Sequence, residues 1–510
     1  MNIVLIATYE LGRQPFGLAS AAAWLREEGA RVVCMDLSRE ELREEAVREA
    51  ELIAFYVPMH TATRLAVALL PAIRELNPRA HICFYGLYAP VNEEYLRRLG
   101  VGTILGGEFE EGLAALARRL SSESERQVEV QRANDFPQGL PGQKTTGTQR
   151  TRKPEKIGAV MSELKLRPPK ETGSSGNETA KQGEPVISLE RLRFRVPDRS
   201  GMVALEKYAR LEMPDGTART VGYTEASRGC KHLCRHCPIV PVYRGAFRVV
   251  QREIVMEDIR RQVATGAQHV TFGDPDFFNG VGHAMPIVEE LHRKFPRLTY
   301  DVTIKVEHLL KHRDCLAGLR ETRCLFVTSA VESVDDAVLE KLAKDHTRAD
   351  FLEAVGLLRE TSLAMQPTFV PFTPWTTIEG YCELLELLRE QELVENVAPI
   401  QLAIRLLIPA GSRLLELEEI RATVGEFDEA GLVYPWKHRD ARVDRLCEEL
   451  QRIVHAGEKM RQSRARIFER IEEAACAVAG VRDEGRGARK TQPLLAARAA
   501  IPYLNEPWYC

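Results

Sequence analysis

Cys230, Cys234 and Cys237 fall in the run Ser227-Arg228-Gly229-Cys230-Lys231-His232-Leu233-Cys234-Arg235-His236-Cys237-Pro238. No other feature constrains the fold as tightly, because a C-x3-C-x2-C spacing sets three sulfur ligands on one tight loop. Thiolates suit iron–sulfur clusters, zinc and Cu(I). A closed structural zinc site takes four protein ligands, and the next cysteine along the chain is Cys315. A 4Fe–4S cluster with one iron open to a small molecule fits three ligands better. On spacing alone two alternatives stay open: zinc completed by His232 or His236, and three unrelated core thiols.

The rest of the chain reads as soluble α/β protein. Its 510 residues suffice for two or three domains, and a formal net charge of −3 gives no global pull toward nucleic acid or acidic membranes. No apolar run approaches the ~20 residues needed to cross a bilayer, and Met1 to Ala7 lacks the basic start of a signal peptide. The cysteines outside the triplet are scattered and mostly apolar-flanked, which predicts reduced core thiols in a cytoplasmic protein.

Residues 1–118 alternate strand and helix patterns, with strands expected at Ile3–Ala7, Arg31–Leu37, Leu52–Val57, Ile82–Tyr85 and Thr103–Leu105. Continuous apolar strands between helices predict a doubly wound parallel sheet whose ligand crevice lies at the strand C-termini. Residues 119–186 are rich in Ser, Gly, Pro, Lys and Gln without apolar periodicity, the composition of a disordered linker. A second α/β region, 187–415, carries six strand patterns: Gly222–Ala226, His269–Phe272, Tyr300–Ile304, Leu325–Ala330, Met365–Val370 and Gln401–Leu407. That count predicts a partial (β/α)6 barrel with its working groups at the strand C-termini. The cysteine run follows the first of these strands. Residues 416–510 read as a helical region ending in a Cys-terminated tail.

The phrase Tyr223 to Cys237 resembles the first strand and cluster loop of radical S-adenosylmethionine (radical SAM) enzymes. The resemblance implies that Cys230, Cys234 and Cys237 hold a 4Fe–4S cluster whose open iron is chelated by S-adenosyl-L-methionine. Reductive cleavage of that co-substrate then starts radical chemistry on a substrate, small molecule or peptide. It also implies an electron donor such as a flavodoxin or ferredoxin. The position before the third cysteine, which lies against the adenine in that family, is His236 here. After the second strand, Gly273-Asp274-Pro275-Asp276 matches the acidic segment that holds the SAM amino group, and Asp274 is the preferred candidate over Asp276. A carboxylate suits an ammonium because it accepts charge-assisted hydrogen bonds. Ser329-Ala330-Val331-Glu332-Ser333 resembles the family's fourth-strand segment, implying SAM contacts by Glu332 and Ser333. Lys305, Glu307 and Arg405 are expected on the same rim, for SAM, for substrate or for internal ion pairs.

Residues 1–118 resemble the cobalamin-binding domains fused to this class, so cobalamin is a candidate cofactor. The Asp-x-His-x-x-Gly motif that supplies an axial imidazole is absent, and Leu87 and Tyr88 follow Gly86 where paired glycines are usual. Glu506-Pro507-Trp508-Tyr509-Cys510 resembles the end of a radical SAM group named for its Cys-Sec-Ala-Glu-Pro or Cys-Cys-Ala-Glu-Pro tail. That likeness implies a catalytic Cys510, with a selenocysteine codon read as a stop as the expected explanation of where this sequence ends. Two other classes stay in view: a cobalamin-dependent radical SAM methyltransferase, and a non-catalytic iron–sulfur or zinc protein. A tRNA-methylthiolating enzyme is disfavoured, since the sequence has no second cysteine triplet and no evident basic RNA-binding module.

Overall fold

The computed structural model describes residues 1–134, 186–480 and 502–504. In the N-terminal part, β1 (Asn2–Ala7), β2 (Arg31–Asp36), β3 (Leu52–Tyr56), β4 (His81–Tyr85) and β5 (Thr103–Gly107) form a parallel sheet in the order β2-β1-β3-β4-β5. β6 (Ile187–Ser188) adds to its edge beside β5. Neighbouring residues of each strand feed different cores. Val4, Ile6, Ile53, Phe55 and Phe84 pack on one side, and Ile3, Leu5, Leu52, Ala54 and Tyr85 on the other. Burial on both faces is why these strands read as unbroken apolar runs.

The helix after β5 runs Phe109–Asn134, past the expected domain limit at 118. Beyond 118 its described side chains include charged pairs such as Arg119 with Glu123. Such i,i+4 pairs support a helix without burying it, so its continuation was hidden from a reading based on apolar periodicity. Most of the expected linker lies outside the described residues.

The second sheet has seven strands in the order β14-β13-β12-β11-β8-β7-β15 and curls as a half-barrel. Its parallel members are β8 (Ala218–Thr224), β11 (His269–Phe272), β12 (Thr299–Thr303), β13 (Cys324–Glu332) and β14 (Ala364–Phe369). Two antiparallel additions were not foreseen: β7 (Arg210–Glu212), and β15 (Tyr503–Leu504) from the C-terminal segment. A separate hairpin pairs β9 (Ser227–Gly229) with β10 (Phe247–Val249).

The expected sixth strand is a correction. Residues 401–407 make a 3-10 turn (Pro399–Leu402) and a single parallel bridge, Phe372 with Arg405. Gln401 caps Phe369 through its side chain, and Arg405 is drawn to Asp444 and the Trp436 carbonyl, each at 2.7 Å. Arg405 therefore ties the sheet to the helix Ala441–Lys459 and does not join the rim groups. No helix among the described residues is long and apolar enough to cross a membrane.

Candidate cluster and cofactor site

The cysteine loop is the excursion of the β9–β10 hairpin. The chain leaves at Gly229 and returns at its partner Phe247. Gly229 has φ +73, and a Cβ there would sit 2.4 Å from the Tyr243 ring and 2.5 Å from the Ala246 carbonyl, so only glycine closes the loop. Arg235 pins the loop from the other side: its backbone N–H donates to Leu342 O at 2.9 Å and its guanidinium to the Lys341 carbonyl. All three cysteines are free thiols, with Cys230 and Cys234 buried. Burial pushes the Cys230 thiol up and the Cys237 thiol to about 12. A metal centre held there would have to displace the protons of Cys230 and Cys237, because the thiolate is the ligand. Lys305 Nζ, 3.9 Å from Cys234 Sγ, supplies a nearby positive charge. The donor set therefore fits a thiolate-held cluster with a fourth corner not filled by sulfur.

The two aspartates after β11 separate sharply. Asp274 faces inward and accepts from the Ala226 N–H at 2.9 Å and the Ser227 hydroxyl at 2.5 Å. Burial lifts its carboxyl to about 7 against those hydrogen bonds. Asp276 instead faces the cysteine loop, with Oδ2 2.6 Å from His308 Nδ1 and 3.3 Å from His232 Nε2. Burial opposes its ionisation, but the two imidazoles outweigh that and hold the carboxyl at about 2. Glu307 lies 3.4 Å from His232 Nδ1 and 3.7 Å from Lys305 Nζ.

Glu332 ends β13 at a bulge, where pairing skips from Ala330 to Glu332. Its φ of +68 is strained for a residue with a Cβ, and a bulge of this kind re-aims a side chain. Glu332 Oε1 reaches His236 Nε2 at 3.2 Å and Lys344 Nζ at 3.5 Å. Burial opposes its ionisation, yet Lys344 and His236 hold it at about 2. Ser333 uses its hydroxyl locally, accepting from the Asp335 N–H at 3.0 Å. The structure thus brings His236, Asp276, Lys305, Glu307 and Glu332 around the cysteine loop, while Asp274, Ser333 and Arg405 make internal contacts. Cys510 lies outside the described residues. His308 and Lys344 were not singled out as site residues, although Lys305-Val306-Glu307-His308 at the end of a barrel strand was the available signal.

Residues 224–385 match the family model of the Radical SAM superfamily. This portion of the chain is a radical SAM domain. Curated relatives include a tRNA-2-methylthio-N(6)-dimethylallyladenosine synthase of Desulfosudis oleivorans, 26% identical over 54% of this chain and 56% of that protein. The hopanoid C-3 methylase of Methylococcus capsulatus is 25% identical over 31% of this chain and 30% of that one. The chain thus spans 56% and 30% of the length of these two relatives. Among solved structures, the cobalamin-dependent SAM radical enzyme OxsB with aqua-cobalamin and SAM bound aligns at a TM-score of 0.62, covering 89% of this chain and 66% of that one at 14% identity. The radical SAM methyltransferase TsrM of Kitasatospora setae, with tryptophan and a SAM analogue, aligns at 0.54 over 83% and 77% at 18% identity. Both show the same two-part fold.

Cobalamin fits the N-terminal sheet less well than the cluster fits the loop. The crevice beyond β1, β3, β4 and β5 faces the barrel across a cavity of only about 240 Å³, lined by Glu10, Tyr56, Phe109, Tyr223 and Arg228 among others. Sites for drug-sized ligands run about 300–1,000 Å³, and a corrinoid is far larger than such a ligand.

Proposed function

We propose that this chain is a radical SAM enzyme in which Cys230, Cys234 and Cys237 hold a 4Fe–4S cluster and SAM occupies its open iron. The observation that carries this is the thiol-bearing hairpin excursion, seated at the C-terminal mouth of a half-barrel and inside the segment that matches the superfamily. When bound, the cluster and SAM supply one-electron cleavage to methionine and a 5′-deoxyadenosyl radical that takes hydrogen from a substrate. The protein's own share is binding and orientation. Asp276, ionised and facing the loop, is the carboxylate suited to the SAM ammonium, in place of Asp274. Lys305 offers a cation to the SAM carboxylate, and Glu332, re-aimed by its bulge, offers polar contact to the ribose, with His236 beside it against the adenine.

The candidate substrate space is a cavity of about 970 Å³, lined from the strands by Asp301, Phe326, Thr328, Gln366 and Thr368 and from the C-terminal region by His455, Arg464 and Tyr503; it shares no lining residue with the cysteine loop. An external electron donor such as a flavodoxin or ferredoxin, and a reducing cytoplasmic setting, follow from this reading. The finer likeness to the Cys-Sec-Ala-Glu-Pro or Cys-Cys-Ala-Glu-Pro tail group rests on Glu506 to Cys510, where Cys510 would act as a thiol nucleophile or redox group. Anaerobic reconstitution with iron and sulfide, followed by dithionite, SAM and assay for 5′-deoxyadenosine, tests the reading. Wild type gives a brown chromophore and the product; Cys234→Ala gives neither. A chromophore that survives Cys234→Ala, or protein that takes up only zinc, overturns it.

A further inference from the structure

The space where the two sheets meet is built as a joint. Arg228, two residues before Cys230, is 7% exposed and crosses the domain boundary. Its Nη2 lies 2.7 Å from Glu110 Oε1 and its Nη1 3.4 Å from Glu108 Oε2, both on the segment that follows β5. Its Nε lies 2.7 Å from Glu225 Oε2 of its own domain. Three rings enclose the guanidinium, with centroids at 5.6 Å for Phe16, 5.2 Å for Phe109 and 5.0 Å for Phe194. The carboxylates are fixed in turn. The Ser20 hydroxyl donates to Glu110 at 2.6 Å, and Tyr243, from the cysteine-loop excursion, donates to Glu108 at 3.1 Å. A guanidinium this deeply desolvated is strongly destabilised if its partners leave, so parting the domains carries a large penalty.

We infer that this joint takes the place a corrinoid would need, and that Arg228 is a positioning residue through which the N-terminal domain fixes the cluster loop. Two features converge on it. The crevice is filled by paired charges and rings from both domains, and the loop between β1 and the helix Phe16–Glu27 is itself built into the joint. Within that loop the Gly12 carbonyl accepts from the Ala209 N–H at 2.8 Å, Gln14 donates to the Val203 carbonyl at 2.8 Å, and the Arg13 guanidinium stacks 4.9 Å over the Tyr223 ring. Arg228 then sits on β9 at the root of the cysteine excursion, and Tyr243 sits at its far end. Both ends of the loop therefore meet Glu108, and Arg228 reaches Glu110 as well.

The positioning part rests on the proposed cluster; the statement about the corrinoid does not. Full-length protein is incubated anaerobically with hydroxocobalamin or methylcobalamin and passed through gel filtration. The expected result is no corrinoid absorbance eluting with the protein, before or after cluster reconstitution; stoichiometric retention overturns the inference. The variant Glu108→Gln/Glu110→Gln is compared with the conservative Glu110→Asp. The double variant should keep its iron content but change the SAM-induced shift in the EPR spectrum of the reduced cluster. It should also slow 5′-deoxyadenosine formation by roughly tenfold to a hundredfold, the scale of an ångström misplacement of reacting groups. Glu110→Asp should restore most of both. A wild-type spectrum and rate in the double variant would refute the positioning role. If Cys234→Ala leaves the chromophore intact, the functional reading fails, while the cobalamin result still stands on its own.

Discussion

Asp276 Oδ2 lies 2.6 Å from His308 Nδ1, joining the end of the second barrel strand to the helix Val306–Lys311 that follows the third. His232, between the first two cysteines, leans on the same oxygen at 3.3 Å. One ionised carboxylate thus sets two imidazoles beside the cluster loop, whereas its neighbour Asp274 is spent on Ala226 and Ser227.

Substitution should separate the two aspartates. Asp274→Asn strands one of two buried donors and should cost about 1–3 kcal/mol of stability, seen as a lower melting temperature, with 5′-deoxyadenosine formed per cluster unchanged. Asp276→Asn should leave iron content near wild type and cut that product by about tenfold or more, since an ammonium loses its charge-assisted partner. Equal losses of activity from both substitutions would refute the distinction.

Gly273 packs under Tyr223. A Cβ at that position would lie 1.8 Å from the Tyr223 hydroxyl oxygen, so Gly273→Ala must displace the ring on which Arg13 stacks. The expected cost is about 1–3 kcal/mol from overpacking, measured by urea denaturation. Because the two residues touch, the loss in a Gly273→Ala/Tyr223→Leu double variant should be smaller than the sum of the singles; strict additivity would show that the ring is not what resists.

The sheets and the cysteine loop were legible because each had a strong local signal. Unbroken apolar strands such as Ile3–Ala7 announce burial on both faces, and three cysteines at fixed spacing announce a shared centre. What stayed hidden depends on chain segments far apart. Asp274 and Asp276 are near-identical in sequence context, and only the placement of Ser227 and His308 tells them apart. Residues 401–407 have a strand's composition, but Gln401 and Arg405 spend their side chains on Phe369 and on Asp444 with Trp436. The two-residue strand at Tyr503 has no periodicity to read at all.

The domain joint should make stability depend on pH. Burial lifts the Glu108 carboxyl from its ordinary value to about 7, against the pull of Arg228. Below the unfolded carboxyl value, near pH 4.5, both states are protonated and the fold carries no penalty at this group. As pH rises toward 7 the unfolded chain releases this proton while the folded chain keeps it, so stability from this group declines across that window. Denaturation midpoints for wild type and Glu108→Gln, taken between pH 5 and about 8, should converge at the acid end, with a flatter profile for the variant. An unchanged slope in Glu108→Gln would assign the dependence to another group.

The C-terminal segment bridges the two edges of the half-barrel sheet. Tyr503 and Leu504 pair with Glu212 and Leu211 of β7, while the Pro502 carbonyl accepts from Gln366 of β14 at 2.7 Å. Leu504 packs on Leu211, Val221 and Phe326, and the Arg464 guanidinium lies 4.2 Å over the Tyr503 ring. Tyr503→Ala removes that cation–π contact and should cost about 0.5–2 kcal/mol, whereas Arg464→Met also loses the 2.8 Å hydrogen bond to the Glu395 carbonyl and should cost more. Deleting residues 501–510 also strips the strand pairing and bares the apolar floor of the barrel, so binding of a hydrophobic dye should rise and the melting temperature fall further than in Tyr503→Ala. If the deletion melts like wild type and binds no more dye, residues 502–504 do not close the barrel.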